Sequence, residues 1–189
     1  MNNNTNKILL IGSGPIIVGQ AAEFDYSGSQ ACKSLKKENK YVILVNSNPA
    51  TIMTDPNMAN SVYIEPLNKK TIINIIEKEH PNYIISSMGG QTALNIVSEL
   101  EEDNILEEYN IKVIGTNLEA IKYTENRELF KKKMLDIGEP VLQSIIISSM
   151  SDINNVLKEY SFPLIVRSAY TLGGNGSGLV NNKNELINT

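Results

Sequence analysis

The sequence predicts an α/β fold, in which an open, mainly parallel sheet is followed by the truncated start of a second domain. Short apolar runs typical of buried strands alternate with helical patterns, and several of the runs end in glycine-containing loops. Such β-α alternation favours parallel strands with helices on both faces of the sheet. The pattern changes near residue 124. We therefore predict one domain over residues 1–123 and an incomplete one over residues 124–189.

The strands predicted for the first domain are apolar runs that end at turn residues: Lys7–Ile11, Tyr41–Val45, Val62–Ile64, Tyr83–Ser87 and Lys112–Ile114. Helical spacing of apolar residues predicts three helices between them: roughly Gly28–Asn39, Lys69–Glu79 and Gln91–Glu101. In the second of these helices, Ile72, Ile73 and Ile76 are expected to share the buried stripe.

In the second domain, Thr124 is expected to cap a helix over Glu125–Ile137 that stops at Gly138. The remaining predictions are strands over Leu142–Ile147 and Leu164–Arg167, a helix from a Ser151 cap to Tyr160, and the start of one more helix. About 65 residues with so few elements are too little to close a hydrophobic core. The second domain is therefore interpreted as incomplete.

Composition excludes several classes of protein. The chain has 189 residues, 41% of them hydrophobic and 20% charged, with a net charge of −4, which is typical of a globular protein. The longest basic run is Lys131–Lys133, so nucleic-acid binding is not expected. One cysteine excludes an internal disulfide, and no apolar stretch has the length of a membrane span. With a polar segment over Met1–Asn6 and no secretory signal, we predict a cytoplasmic protein.

A glycine turn, Gly12–Pro15, follows the first strand as a dinucleotide-binding turn would. The third glycine of that motif is missing, because Ile17 stands there, and Asn46 occupies the place of the acidic residue at the end of the second strand. A tight structural turn is therefore favoured over a nicotinamide or flavin site.

Met88–Thr92 occupies the equivalent place after the fourth strand. Ligands in open α/β sheets bind at the carboxyl ends of strands, so this segment is a candidate for substrate contact. A turn followed by an N-cap from Thr92 explains the same residues equally well.

The segment Gly173–Gly178 contains four glycines in six residues, so backbone N–H groups there can approach phosphate oxygens closely. Arg167 ends the preceding strand and supplies a cation near the same place. The Lys and Ser/Thr of a P-loop are absent, and a flexible hairpin turn remains the alternative.

Side-chain catalysts are not indicated. His80 is expected at the surface at the end of a helix, and Cys32 on the buried face of one. One histidine and one cysteine at this spacing form neither a hydrolase triad nor a metal site. No catalytic residue and no metal ligand is predicted in this sequence.

Five strings together resemble the start of the large chain in the carbamoyl phosphate synthase family. They occur in order along the chain: Gly12–Gln20, Glu23–Gly28, Asn46–Thr51, Met88–Asn95 and Arg167–Gly174. The resemblance implies that residues 1–123 form a Rossmann-like pre-ATP-grasp domain. It implies that residues 124–189 begin the ATP-grasp domain of the half that makes carboxyphosphate.

In that family, ATP phosphorylates bicarbonate, ammonia from glutamine converts the product to carbamate, and a second ATP gives carbamoyl phosphate for pyrimidine and arginine synthesis. The resemblance implies that Arg127 and Arg167 contact the ATP phosphates and that Gly173 and Gly174 belong to the loop covering them. It also implies Mg²⁺ or Mn²⁺, with ligands beyond Thr189, and a glutaminase as a separate subunit or a fused domain. We therefore expect the 189-residue chain alone to be inactive.

Three residues differ from the sequence that is common in the family: Asn175 and Ser177 in the glycine loop, and Ser168, which replaces a frequent proline. Two alternatives remain open. One is another ATP-grasp ligase of the biotin carboxylase kind, which should not carry the strings Glu23–Gly28 and Asn46–Thr51. The other is a non-catalytic nucleotide-binding protein, if Thr189 is a natural end.

Overall fold

The apolar runs of the sequence form the strands of a parallel sheet. The computed structural model describes residues 6–15, 23–168 and 176–189. The chain divides into two compact units, the first unit Met1–Ile121 and the second unit Lys122–Thr189. The strands of the first unit are β1 (Lys7–Ile11), β2 (Tyr41–Asn46), β3 (Ser61–Ile64), β4 (Tyr83–Ile85) and β5 (Lys112–Ile114). All are parallel, in the order β3-β2-β1-β4-β5.

Helices connect these strands. They are α1 (Glu23–Lys37), α2 (Lys69–Glu79), α3 (Gly90–Glu102), α4 (Ile105–Glu108) and α5 (Leu118–Glu125), which crosses the division between the units. A 3₁₀ turn, Ile52–Thr54, follows β2. None of the helices in the described ranges is long and apolar enough to cross a membrane.

The core lies on both faces of the sheet. In β1, Leu9 and Ile11 join a cluster with residues of α2 and α3, whereas Ile8 and Leu10 join another cluster with Cys32 of α1. Successive side chains of a strand point to opposite faces, so an apolar run is buried throughout only when helices cover both faces. The predicted open parallel sheet with helices on both sides is confirmed.

The second unit contains α6 (Arg127–Asp136), α7 (Ile153–Glu159), β6 (Leu164–Arg167), β7 (Ser177–Val180) and α8 (Lys183–Asn188). β6 and β7 form an antiparallel pair in which Ile165 lies opposite Leu179. A small core of Ile153, Val156, Val180 and Leu186 packs together.

Two predicted helix starts in the second unit are wrong. The helix predicted over Glu125–Ile137 forms as α6, Arg127–Asp136, and its cap is Asn126 rather than Thr124, which lies in α5. The Asn126 side chain accepts hydrogen bonds from Glu128 N and Leu129 N, both at 3.0 Å. Asparagine is among the best capping residues, because its amide oxygen replaces the missing carbonyl at a helix start.

The cap before α7 is also different from the predicted one. Ser149, not Ser151, starts a 3₁₀ turn over Met150–Asp152 through a capping box with Asp152. Asp152 Oδ2 accepts from Ser149 N at 2.9 Å and from Ser149 Oγ at 3.0 Å. The serine three residues before an acidic residue was the correct signal.

The strand predicted over Leu142–Ile147 does not form. A strand needs a neighbour for its backbone groups, and the second sheet in the described residues consists of β6 and β7. Leu142 is 90% exposed. Apolar content alone therefore predicted a strand that lacks a partner.

In the first unit the differences are smaller. The first helix begins at Glu23 rather than Gly28. Gly28 lies inside α1 and packs against Met53, so that a Cβ at this position would overlap the Met53 side chain. In α2, Ile75 is buried while Ile73 is only half-buried. The fourth strand ends at Ile85, two residues earlier than predicted.

Candidate functional site

The glycine turn after β1 is built around Asn46. The Asn46 Oδ1 atom accepts a hydrogen bond from Gly14 N at 2.9 Å, and Gly14 has a φ of 77°. Asn46 is fully buried, and a Cβ on Gly12 would overlap its Cγ. Asn46 stands where a dinucleotide-binding protein has an acidic residue, and its side chain is directed into the protein, where it supports the turn. Ile17 and the rest of that motif, residues 16–20, lie outside the described residues.

The turn after β4 packs directly on the turn after β1. A Cβ on Gly89 would overlap the carbonyl oxygens of Ile11 and Gly12. Gly89 is the N-cap of α3 and makes no side-chain capping bond, so the predicted cap by Thr92 is wrong. Thr92 instead lies in the first turn of α3. The close approach of backbone to backbone explains why glycine occupies position 89.

The ends of the strands enclose an open cavity of about 440 Å³. It is lined by Ser13, Gly14, Pro15, Ser47, Ile64, Glu65, Pro66, Leu67 and Thr92. The structure therefore brings the turn Gly12–Pro15 together with Thr92, two segments that the sequence singled out separately. Its described lining includes no Lys, Arg or His, so its side chains offer no cation to a phosphate. The lining combines the hydroxyl-bearing residues Ser13, Ser47 and Thr92 with the acidic Glu65 and with apolar residues.

The two predicted arginines lie on separate elements of the second unit. Arg127 is the first residue of α6, directly after its Asn126 cap, and Arg167 is the last residue of β6. Both side chains are exposed. In the described part of the chain, neither lies within 4.0 Å of a carboxylate oxygen, since the ion pairs found there are Lys7–Glu79 and Lys69–Asp103. Their positive charges are therefore not neutralised by these residues.

Beyond Arg167, the backbone is held by Ser168. Ser168 N donates to Gly176 O at 3.2 Å, and Ser168 Oγ donates to the same oxygen at 2.6 Å. The predicted loop residues Gly173 and Gly174 lie outside the described residues.

One face of the β6–β7 pair is apolar and uncovered. Ile165 is 76% exposed and Leu179 is 61% exposed, and the two residues are directly opposite in the register. Arg167 follows Ile165 by two residues, so it lies on the same face. Sequence reasoning missed this apolar pair. The alternation in Leu164–Arg167 carried the signal, but a strand with both faces apolar also suggests complete burial.

The other titratable candidates have structural places. Burial raises the pKa of the Cys32 thiol to about 11, which disfavours the reactive thiolate. His80 is the C-cap of α2, exposed, with a φ of 51°. Both positions agree with the roles that the sequence predicted for them.

No cluster of three or more His, Cys, Asp or Glu side chains that could hold a metal ion occurs within residues 6–15, 23–168 and 176–189. We assign none of the described residues to a metal ion.

Two family models match this chain in sequence order. The carbamoyl phosphate synthase preATP-grasp domain matches residues 4–123, and the carbamoyl-phosphate synthase L chain, ATP binding domain, matches residues 126–189.

Several relatives are more than half identical. The carbamoyl phosphate synthase large chain of Methanosarcina acetivorans is 60% identical over 181 residues, which are 96% of this chain and 17% of that protein. The large chain, N-terminal section, of Methanopyrus kandleri is 55% identical over 186 residues, 98% of this chain and 33% of that protein. The chain thus spans a small part of the relatives that it matches.

Two solved structures with a similar fold are enzymes that do not carry the name carbamoyl phosphate synthase. The biotin carboxylase domain of 2-oxoglutarate carboxylase from Hydrogenobacter thermophilus, in complex with MgADP, ADP and bicarbonate, has a TM-score of 0.70 at 19% identity, covering 97% of this chain and 39% of that one. N5-carboxyaminoimidazole synthetase from Staphylococcus aureus, complexed with ADP, has a TM-score of 0.61 at 19% identity, covering 97% and 43%. At this identity, the likeness concerns the fold alone.

The family models and the relatives lead to the same family. The parallel sheet of the first unit carries the preATP-grasp match, and the elements from α6 onward carry the ATP-binding match. The chain belongs to the carbamoyl phosphate synthase large-chain family.

Proposed function

We propose that this chain is the beginning of the carboxyphosphate-forming half of a glutamine-hydrolysing carbamoyl phosphate synthase. That half uses ATP to phosphorylate bicarbonate, and ammonia converts the carboxyphosphate to carbamate on the way to carbamoyl phosphate. The observation that carries the proposal is the consecutive match of both family domains, supported by a relative that is itself an N-terminal section. The domain limits 1–123 and 124–189 are part of the same proposal.

The proposed nucleotide site lies in the second unit. Arg127 and Arg167 would contact the phosphates of ATP, and Gly173 and Gly174 would cover them. Arg127 and Arg167 are the two arginines of a sequence whose other fifteen cations are lysines. A guanidinium binds phosphate through two parallel hydrogen bonds, which the ammonium group of lysine cannot reproduce. In a lysine-rich chain, arginine at these two positions therefore supports a role in phosphate binding.

The apolar pair on the same face suits the base of the nucleotide. Ile165 and Leu179 form an exposed apolar surface, and Ile165 lies two residues before Arg167 in β6. A planar ring packed there would remove apolar area from water while its phosphates extend toward the guanidinium. A ring packed there would also cover the side chain of Ile165, which is 76% exposed.

No side-chain nucleophile is required for phosphoryl transfer, because catalysis rests on positioning and on neutralising the charge of the transferred group. When bound, Mg²⁺ or Mn²⁺ would supply part of that neutralisation. Its ligands are proposed to lie outside the described residues. A glutaminase, as a partner or a fused domain, would supply the ammonia, and the protein would act in the cytoplasm.

A biotin carboxylase-like ligase is the alternative from the same fold group. It is less well supported, because the biotin carboxylase structure is 19% identical to this chain whereas the carbamoyl phosphate synthase relatives reach 60%.

The test uses the full-length protein that contains this chain, obtained by extending the reading frame past Thr189. Arg167→Ala should lower bicarbonate-dependent ATP hydrolysis by about ten- to a hundredfold, the cost of a lost charge-assisted contact in the transition state. Lys183→Ala removes another exposed cation of the second unit and should change the rate less than twofold.

Formation of ATP from ADP and carbamoyl phosphate belongs to the other half of the enzyme and serves as the internal control. A full-length protein without bicarbonate-dependent ATP hydrolysis would overturn the proposed function. A rate within twofold of the unmodified enzyme in Arg167→Ala would overturn the assignment of the phosphate site.

A further inference from the structure

Beyond the ladder of β6 and β7, Ser168 is hydrogen-bonded to Gly176. Ser168 donates two hydrogen bonds to Gly176 O, one from its backbone N–H at 3.2 Å and one from its Oγ at 2.6 Å. These bonds follow directly after the last pair of the ladder, which joins Arg167 to Ser177. The backbone on the carboxyl side of Arg167 is thus held by a side chain as well as by the ladder.

Gly176 is suited to this contact in two ways. Its φ is 62°, a left-handed conformation that glycine adopts without steric cost. A Cβ at this position would overlap Ser168 Oγ. The hydroxyl of Ser168 therefore occupies the space that a side chain at Gly176 would fill, and the two residues pack directly against each other.

Arg167 ends β6 and directly precedes Ser168 in the chain. Its exposed guanidinium has no carboxylate partner among the described residues, so packing and ion pairs there do little to orient it. A long side chain reaches a fixed target only if its Cα is fixed, and small displacements of a positioning group are costly in catalysis. The hydrogen bonds of Ser168 act on the residue next to that Cα.

We propose that Ser168 is a positioning residue of the nucleotide site, whose hydroxyl holds the end of β6 so that the Arg167 guanidinium meets the phosphates of ATP. This inference rests on the proposed function of the chain. Ser168 does not touch the reacting atoms in this role. Its hydroxyl acts through Gly176 O and the backbone of Arg167.

The test measures ATP dependence in the full-length protein. Ser168→Ala removes the side-chain bond but keeps the backbone bond, and should raise the KM for ATP in bicarbonate-dependent hydrolysis at least fivefold. Ser168→Thr keeps the hydroxyl and should restore the KM to within twofold. ATP formation from ADP and carbamoyl phosphate should be unchanged in both variants.

Ser149→Ala is the matched control, because it also removes a serine hydroxyl with a hydrogen bond in the second unit, here to Asp152. It should lower stability without raising the KM for ATP. An equal rise of KM in Ser149→Ala, an unchanged KM in Ser168→Ala, or a failure of Ser168→Thr to restore it would each overturn the role of Ser168.

Arg167→Ala separates this inference from the proposed function. If Arg167→Ala impairs bicarbonate-dependent hydrolysis while Ser168→Ala does not, only the role of Ser168 is wrong. If neither change affects hydrolysis, the phosphate site itself is wrongly assigned.

Discussion

The two units of this chain bury their sheets to different extents. In the first unit, the residues Ile8–Ile11 of β1 are 0–4% exposed, because helices cover both faces of the parallel sheet. In the second unit, one face of β6–β7 packs on a core of four residues, while Ile165 and Leu179 on the other face are largely exposed. The proposed ATP-binding side chains belong to the less buried unit. The apolar core is thus larger in the first unit, and more of the sheet surface is exposed in the second.

The largest difference in stability should come from a leucine-to-alanine substitution made once at a buried and once at an exposed position. Leu44 is fully buried in β2, and Leu142 in the second unit is 90% exposed. Leu44→Ala should lower the free energy of unfolding by about 2–5 kcal/mol, whereas Leu142→Ala should change it by less than about 0.5 kcal/mol. Urea unfolding of the 189-residue chain, followed by circular dichroism, measures both. Similar costs would contradict the assigned burial.

Glycine substitutions should separate the units next. Gly89→Ala forces a methyl group onto the carbonyl oxygens of Ile11 and Gly12, and should cost about 1–3 kcal/mol or more. Gly178 in β7 has no atom within 4 Å of an added Cβ. Gly178→Ala should therefore be neutral, or stabilising by about 0.4–1 kcal/mol. The same unfolding experiment decides, and a silent Gly89→Ala would show that the two turns do not pack as described.

A smaller effect is expected at the helix caps. Asn68 caps α2 and Asn126 caps α6, and replacing either by alanine should cost about 1 kcal/mol. α2 buries three isoleucines, whereas no residue of α6 is buried. Loss of the cap should therefore open α6 locally but leave α2 formed.

Hydrogen exchange of the backbone amides along α2 and α6, including those of Thr71 and Leu129, which donate to these caps, measures the difference. We expect faster exchange through the whole of α6 in Asn126→Ala, and faster exchange only in the first turn of α2 in Asn68→Ala. Equal opening of both helices would contradict the contrast in their packing.

The smallest effect concerns pH. Burial alone would raise the pKa of Glu79, but hydrogen bonds from Tyr63 and Ser61 and the charge of Lys7 lower it below its ordinary value of 4.5. The Tyr63 hydroxyl donates to Glu79 Oε1 at 2.6 Å, and Lys7 Nζ lies 3.6 Å from Oε2. A lowered folded-state pKa stabilises the fold above the ordinary pKa, and this contribution is lost as the pH falls through the lowered value.

Glu79→Gln should therefore weaken the dependence of stability on pH below about 4.5, while stability at pH 7 decreases slightly. Glu38→Gln, at an exposed position, is the control and should leave the pH profile unchanged. A profile that is the same in Glu79→Gln and in the unmodified chain would show that the Glu79 contacts do not favour its charged form.

Strands and helices with strong local signals were predicted more accurately than helix caps and strand partners. The bounds of α2, β5 and β6 were predicted correctly, because apolar spacing and turn residues are strong local signals. The errors at Thr124, Ser151 and Leu142–Ile147 all fall in the second unit. There, several residues compete for each cap, and strand formation depends on a partner.

For the site, the sequence and the family resemblance predicted Arg127 and Arg167, which stay predictions. They indicated neither the Ser168–Gly176 contact nor the exposed pair on β6 and β7. An arginine at the end of a predicted strand can be recognised from the sequence alone. A hydroxyl that bonds a carbonyl eight residues away is visible only after the strands pair.

By itself, the sequence determined the order of the elements, the parallel sheet and the family, since these depend on local periodicity and on strings of neighbouring residues. Tertiary structure alone decided which way Asn46 turns, why Gly89 must lack a side chain, and which face of β6 stays open. Each of these depends on atoms that lie far apart in the sequence and come into contact only when the chain folds. A local pattern specifies which elements form, whereas contacts between elements specify where the chemistry of each side chain is available.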